Sequence, residues 1–323
     1  LVDAVEAGKH VYVEKPLANS IAECQAMEAA VRRTGRIVQV GQWQRSGPHY
    51  AQAVALVRSG ALGRIRLVKA WAYQGWMKPI HVQPDGDPPP GVDYRLWLGP
   101  APLRPFNPNR FHFNFRWFWD YAGGLMTDWG VHELDIALWA MHAEAPRTVQ
   151  ASGGKLGYPD DASETPDTLQ ALFAYDTFTL LWEHATGIDC GNYGRSEGIA
   201  FIGNNGTLVV NRDGWELLPE TDLKDGRRVY RMEAMPRQTR QGDYLAFHVQ
   251  NFIEAIKAND PTRLACDVHA GAVAAVNAHL GNIAYRTGRM LRWDAARKQI
   301  LDDPEAQAYV RPTYHNGWTF PEG

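Results

Sequence analysis

The stretch Val11-Tyr12-Val13-Glu14-Lys15-Pro16 decides how this 323-residue chain is interpreted. An apolar run rich in β-branched residues ends here in an acid, a lysine and a proline. Such a run predicts a strand, and ligands of open α/β sheets bind at the carboxyl ends of the strands. We therefore expect Glu14, Lys15 and Pro16 to border a binding site. The bond between Lys15 and Pro16 can also adopt the cis form.

Strands and helices alternate around this stretch. The pattern predicts strands at 10–13 and 36–40 and helices at 20–33 and 48–59. Ser20 is a good N-cap with Glu23 three residues later, and Gly35 is a typical helix end. Alternation of this kind is typical of a parallel sheet covered by helices, that is, of an α/β fold.

From residue 64 onwards the pattern changes to strands in succession. A strand at 64–75 is followed by a loop rich in proline and glycine at 79–109 and by a helix at 125–142. Further strands are predicted at 147–155, 167–176, 178–185, 197–203, 206–210 and 214–218, with a weaker one at 227–232. Helices return at 243–258 and 267–286. We expect an α+β domain with a large, mostly antiparallel open sheet.

Composition excludes several classes of protein. The chain is 45% hydrophobic and 21% charged, as in globular proteins, and its formal net charge of -3 gives no electrostatic footprint for nucleic acid. No apolar run reaches the roughly 18 residues of a membrane-spanning helix. Three scattered cysteines form neither a metal-ligand pattern nor a disulfide framework.

A second motif lies downstream, where Gly123-Gly124 precedes Asp128, His132 and Asp135. On a regular helix the last three residues share one face. Imidazole accepts a proton near neutral pH, and a carboxylate one turn away can orient it. Two alternatives stay open, a structural polar face and a metal site, although this spacing is a weak ligand pattern.

Both motifs resemble signatures of the Gfo/Idh/MocA oxidoreductases, a family named for glucose–fructose oxidoreductase, inositol dehydrogenase and a rhizopine catabolism protein. Residues 7–18 are similar to its fifth-strand signature, and residues 123–135 are similar to its second one. Gly60-Ala-Leu-Gly63 and Asn204-Asn205-Gly206 resemble two further family segments. The resemblance therefore runs over nearly the whole chain.

The resemblance implies two domains with NAD or NADP between them. Residues 1–62 would be the C-terminal part of a Rossmann domain, and residues 63–323 would bind substrate and form oligomers. The family's glycine-rich pyrophosphate loop is absent from the chain. We expect that about four strand–helix units, which would carry this loop, precede Leu1.

The resemblance also implies roles for individual residues. The implied catalytic residues are Lys15, Asp128 and His132. The implied cofactor contacts are Glu14, Lys15, Pro16, Gln42 and Arg45. The implied substrate contacts are Lys15, Trp119, Asp128 and His132, with Asp135 behind them and no metal.

The implied activity is hydride transfer between the nicotinamide of NAD or NADP and a hydroxyl or ketone of a sugar, inositol or related polyol. The alternative is a sugar-binding or regulatory protein that uses the same scaffold without catalysis. The family implies a homodimer or homotetramer formed through the C-terminal sheet. We expect a cytoplasmic protein, or a periplasmic one if a twin-arginine signal precedes Leu1.

Overall fold

A computed structural model describes residues 1–321. Its first part holds three helices, α1 (Val2–Glu6), α2 (Ile21–Thr34) and α3 (Pro48–Arg58). Two short strands, β1 (Val11–Val13) and β2 (Val38–Val40), pair in parallel. The predicted alternation of strands and helices is confirmed. The carboxyl ends of both strands therefore lie side by side, at the edge where Glu14 and Gly41 follow them.

The ends of α2 follow from its sequence. The Ser20 side-chain oxygen accepts a hydrogen bond from the Glu23 backbone N–H, as an N-cap does. At the other end Gly35 adopts a left-handed conformation with φ 63°, which glycine reaches without a steric penalty. Both predicted ends are confirmed.

The second part is built on a ten-stranded sheet with the order β12-β9-β8-β7-β3-β6-β5-β4-β13-β14. Among the described strands of this sheet, only β3 and β6 pair in parallel, so the predicted, mostly antiparallel sheet is confirmed. Strands β10 and β11 form a separate hairpin. The strands beyond the first part are β3 (Leu67–Gln74), β4 (Thr148–Gly154), β5 (Thr168–Ala174), β6 (Thr179–Thr186), β7 (Glu197–Ile202), β8 (Gly206–Asn211), β9 (Gly214–Pro219), β10 (Thr221–Lys224), β11 (Arg227–Tyr230), β12 (Met235–Thr239), β13 (Leu291–Asp294) and β14 (Gln299–Leu301).

Helices pack against this sheet and against one another. The remaining helices are α4 (Tyr94–Leu98), α5 (Val131–Met141), α6 (Tyr244–Ala258), α7 (Val268–Thr287) and α8 (Pro304–Ala308). Helix α5 lies against α3 and α7, and α7 also contacts α2, β2 and β4. These contacts join the first part of the chain to the second.

One hydrophobic core runs through both parts. It includes Ile21 and Tyr50 from the first part and Leu134, Phe173 and Trp182 from the second, all with essentially no exposed surface. Burial of apolar area is the main favourable contribution to folding, so the two parts stabilise each other. The boundary predicted after residue 62 stays a prediction.

Three local predictions need correction. The predicted loop at 79–109 contains α4, whose first turn is capped by the side chain of Asp93. The predicted helix at 125–142 begins as a π-helical turn, Met126–Gly130, and becomes α-helical only from Val131. The weak strand predicted at 227–232 is β11, which pairs with β10 outside the large sheet. Within residues 1–321, no helix combines the length and the apolar character needed to cross a membrane.

Candidate functional site

Lys15 and Asp128 meet although 113 positions separate them in sequence. The Lys15 ammonium donates to the Asp128 carboxylate at 2.9 Å and to the Asp128 backbone carbonyl at 2.8 Å. Both side chains are largely buried, with 16% and 18% of their surface exposed. The Lys15–Pro16 bond is cis, as the sequence allowed. An ion pair thus joins the segment that follows β1 to the middle of the π-helical turn.

A second positively charged side chain, that of Arg116, contacts the Asp128 carboxylate. Arg116 Nε donates to Asp128 Oδ1 at 3.2 Å. The Arg116 guanidinium also lies over the rings of Phe113 and Phe115. Asp128 is therefore held between two positive charges, and its carboxylate is already in place before any ligand arrives.

His132 lies one turn further on and is 4% exposed. Its Nδ1 is buried and has no hydrogen-bond partner. Burial, together with the positive charges of Lys15 and Arg212, lowers the pKa of His132 well below its usual value of 6.5. The imidazole is therefore neutral at pH 7, and it can accept a proton from a group placed against it.

A cavity of about 60 Å³ opens beside the ion pair. Lys15, Pro16 and Asp128 line it. An ammonium group has three donors, and Asp128 takes two of the three on Lys15. One donor therefore remains for a ligand that enters the cavity.

The glycine pair before this motif permits close packing of the chain. Gly124 has φ 65°, and a side chain there would meet Thr165 at 2.7 Å. A side chain on Gly123 would collide with Asn282, whose amide donates to the Gly123 carbonyl at 2.8 Å. Other segments of the protein therefore lie directly against the glycine pair.

Asp135 and Arg45 form a buried ion pair away from the cavity. Arg45 donates to both carboxylate oxygens of Asp135, at distances of 2.8–3.0 Å. Asp135 is 1% exposed and Arg45 is 12% exposed. Arg45 and Asp135 therefore neutralise each other, and within residues 1–321 Asp135 makes no hydrogen bond to His132. The contact of Arg45 with the cofactor stays a prediction. Among the described residues, no cluster of three metal-ligating side chains occurs.

The other predicted cofactor contacts follow β1 and β2. Glu14 is exposed and its carboxylate lies against Gly41. Gln42 is 1% exposed and donates to the Val131 carbonyl at 3.3 Å, which leaves its buried Oε1 without a partner. Both residues border the edge where a ligand of a parallel sheet binds.

Trp119 is not placed beside Lys15 and Asp128. Its indole N–H donates to the Glu164 carbonyl, its ring stacks on Tyr285, and the Arg286 guanidinium lies 4.7 Å from the ring centre. Trp119 lines a different cavity of about 620 Å³. Its contact with a substrate therefore stays a prediction that the geometry near the ion pair does not support.

Three residues near Asp128 and His132 were not predicted. Trp43 packs its ring edge-on to the His132 ring, with ring centres 6.3 Å apart. Arg116 contacts Asp128, and Arg212 acts electrostatically on His132. No spacing signal links Arg212 to the motif, since it lies 80 positions beyond His132.

Two domain descriptions match the chain. Residues 1–42 match the domain described as "Oxidoreductase family, NAD-binding Rossmann fold". Residues 53–166 match "Oxidoreductase family, C-terminal alpha/beta domain". The two matches fall in the order of the two parts of the structure, and the second match begins within α3.

Several curated proteins are similar in sequence. The scyllo-inositol 2-dehydrogenase (NAD(+)) of Bacillus subtilis is 25% identical over 301 residues, which cover 92% of this chain and 74% of that protein. The 1-carboxy-3-chloro-3,4-dihydroxycyclo hexa-1,5-diene dehydrogenase of Comamonas testosteroni is 35% identical over 173 residues, or 54% of this chain and 35% of that protein.

Solved structures share the fold. Aldose-aldose oxidoreductase from Caulobacter crescentus, complexed with glycerol, superposes with a TM-score of 0.60 at 24% identity, over 90% of this chain and 74% of that one. An inositol dehydrogenase homolog from Azotobacter vinelandii, complexed with NADH and myo-inositol, gives a TM-score of 0.60 at 18% identity and the same coverage.

Proposed function

Because this chain belongs to the Gfo/Idh/MocA family of oxidoreductases, we propose that it is an NAD(P)-dependent dehydrogenase acting on a hydroxyl of a sugar, inositol or related polyol. The reaction centre is formed by Lys15, Asp128 and His132. The observation that carries this proposal is the ion pair between Lys15 and Asp128, which joins the two parts of the chain one turn from a buried, neutral histidine.

The residues present fit the nicotinamide end of the cofactor. Glu14, Lys15 and Gln42 follow two neighbouring parallel strands, where dinucleotides bind in folds of this kind. The buried Gln42 Oε1 lacks a partner and is an acceptor for an amide N–H. When bound, the nicotinamide ring accepts or supplies the hydride.

Lys15 binds and polarises the reacting oxygen. Its remaining N–H donates to the substrate hydroxyl, and the ammonium charge stabilises negative charge that develops on this oxygen during proton loss. Asp128 fixes the ammonium group through two contacts. A second contact with Arg116 holds Asp128 itself in place.

His132 accepts the hydroxyl proton during oxidation and returns it during reduction. It enters the reaction neutral, since burial and two nearby cations lower its pKa. A low pKa makes the imidazole a weak base, so the polarising charge on Lys15 is needed to lower the pKa of the bound hydroxyl. The two groups therefore act together, and removing either one should impair proton transfer.

The test is turnover of the His132→Asn and Lys15→Met variants with NAD(+) and a panel of polyols. We expect His132→Asn to lower kcat by about 10²–10⁴-fold, the usual contribution of a general base. His142→Asn is the matched control, since His142 caps the same helix with a left-handed conformation that asparagine tolerates. Full activity of His132→Asn would contradict the proposal.

The alternative is a binding protein on the same scaffold. Polyol binding by equilibrium dialysis, without nicotinamide reduction by any polyol tested, would favour it. We also propose a homodimer or homotetramer formed through the large sheet, which light scattering tests directly.

A further inference from the structure

His132 lacks the carboxylate partner that usually orients a catalytic imidazole. Asp128 is held by Lys15 and Arg116, and Asp135 is held by Arg45. Within residues 1–321, no carboxylate hydrogen-bonds to His132, whose buried Nδ1 has no partner. Another contact must therefore fix the ring.

The ring of Trp43 makes this contact. It meets His132 edge-on, with an interplanar angle of 89°. Trp43 is itself stacked on Tyr244, with ring centres 4.7 Å apart. The Arg212 guanidinium lies 5.0 Å from the centre of the Trp43 ring and 4.1 Å from that of Trp129. Both distances are typical of cation–π contacts.

Arg212 is anchored where β8 turns into β9. Its side chain donates to Gln44 Oε1 at 3.3 Å, and its backbone N–H donates to the Glu197 carboxylate at 3.1 Å. Its Nε is buried without a partner. The arginine is therefore fixed between two tryptophans by groups from both parts of the chain.

Two buried carboxyl groups interact electrostatically with Arg212. Glu133 is fully buried and Glu197 is 7% exposed. Burial raises the pKa of both, and the pKa of Glu133 is raised further by Glu197. Both carboxyl groups therefore hold their protons to a higher pH than an exposed carboxyl group does, which weakens their compensation of the Arg212 charge.

We propose that Arg212 is a positioning residue for His132: it clamps Trp43 against the imidazole and places a fixed positive charge behind it. The proposal rests on the proposed function, because it assigns Arg212 a role only if His132 transfers the proton. The arginine orients the ring through Trp43, and its charge adds to burial and to Lys15 in lowering the pKa of His132.

Other titratable groups also act on His132 and Arg212. Lys15, after β1, acts on His132, and Arg212 interacts with Glu133 of α5, Glu197 of β7 and Tyr244 of α6. Asp213, next to Arg212, acts on Glu197. A test must therefore change Arg212 alone and measure His132 directly.

The test compares R212M and R212K. NMR titration of labelled histidines, with the His132 signal assigned from His132→Asn, measures the ring without turnover. In R212M we expect the His132 pKa and the acid limb of the kcat/KM profile to rise by about one pH unit, since a nearby positive charge is lost. R212K keeps the positive charge, so the pKa of His132 in this variant should stay near the wild-type value. Its kcat should still fall, because an ammonium group packs less well between two rings.

R228M is the matched control, because Arg228 is exposed on β11, and its titration and turnover should be unchanged. A folded R212M with a wild-type His132 titration and pH profile would overturn the proposal. If R212M does not fold, W43F tests the same link: kcat should fall while the His132 pKa stays low, and an unchanged kcat would overturn the proposal. Full activity of His132→Asn refutes the proposed function instead, whatever the titration shows.

Discussion

The buried pair of Arg45 and Asp135 gives the sharpest prediction on stability. Asp135→Ala removes the only carboxylate that contacts the Arg45 guanidinium within the described chain. Breaking a buried pair by removing one partner costs about 3–5 kcal/mol, because a charge is left buried without compensation. The guanidinium keeps its contact with the Trp139 ring at 5.2 Å, so we expect a cost near the lower bound, about 3 kcal/mol.

A loss of about 3 kcal/mol should lower Tm by about 6 °C, taking about 2 °C per kcal/mol for a chain of this size. Urea unfolding should show the same loss with an unchanged m-value. The matched control is Asp176→Ala, which removes the exposed pair of Asp176 with Arg147 and should cost less than about 1 kcal/mol.

The double variant Arg45→Met with Asp135→Leu tests the cause of the loss. Replacing a buried pair by apolar residues of similar volume is often neutral or stabilising. We therefore expect the double variant to be more stable than Asp135→Ala alone. If Asp135→Ala is as stable as the wild type, or if the double variant is no more stable than Asp135→Ala, the uncompensated charge is not what destabilises the protein.

Two further predictions concern local stability. The protonated His269 ring donates hydrogen bonds to the carboxylates of Glu28 and Glu144, and these bonds raise the pKa of His269 to about 9. Because this pKa lies above the 6.5 of an unfolded histidine, the contribution of His269 to stability is complete below pH 6.5 and is lost as the pH rises through 9. The Tm difference between the wild type and His269→Gln should therefore be present at pH 6 and shrink towards pH 10; a constant difference would contradict the linkage. Ser20→Ala removes the N-cap of α2 and should cost about 1 kcal/mol in urea unfolding, whereas an unchanged midpoint would mean that the cap bond adds nothing.

Much of the fold could be predicted because its signals are local. Alternation of apolar residues identified β5 to β8, and Ser20 and Gly35 marked the ends of α2. Strands β13 and β14 were missed because they have only four and three residues, and charged side chains also interrupt β13. A pattern of period two cannot be recognised over so few positions.

Residues of the candidate site could be predicted only where they belong to a recognisable sequence motif. Lys15, Asp128 and His132 were assigned through two signatures, and the structure brings Lys15 and Asp128 into contact; their catalytic roles stay predictions. Asp135 was assigned to the same helix face as Asp128. The segment 126–130 is π-helical, however, so the α-helical spacing on which that assignment depends does not hold between the two residues. Arg212 was missed because a charged residue at a hairpin turn looks exposed in sequence, and only the tertiary fold brings it to Trp129.

The contacts of Trp43 and Arg45 limit which parts of this protein could be exchanged with those of its relatives. Trp43 and Arg45 lie in the first part of the chain, whereas their partners Arg212, Tyr244 and Asp135 lie in the second. A chimera with a foreign nucleotide-binding half would inherit one side of each contact without the other. Exchange of the first part should therefore succeed only when the incoming segment after β2 also carries a tryptophan at the position of Trp43 and an arginine at the position of Arg45.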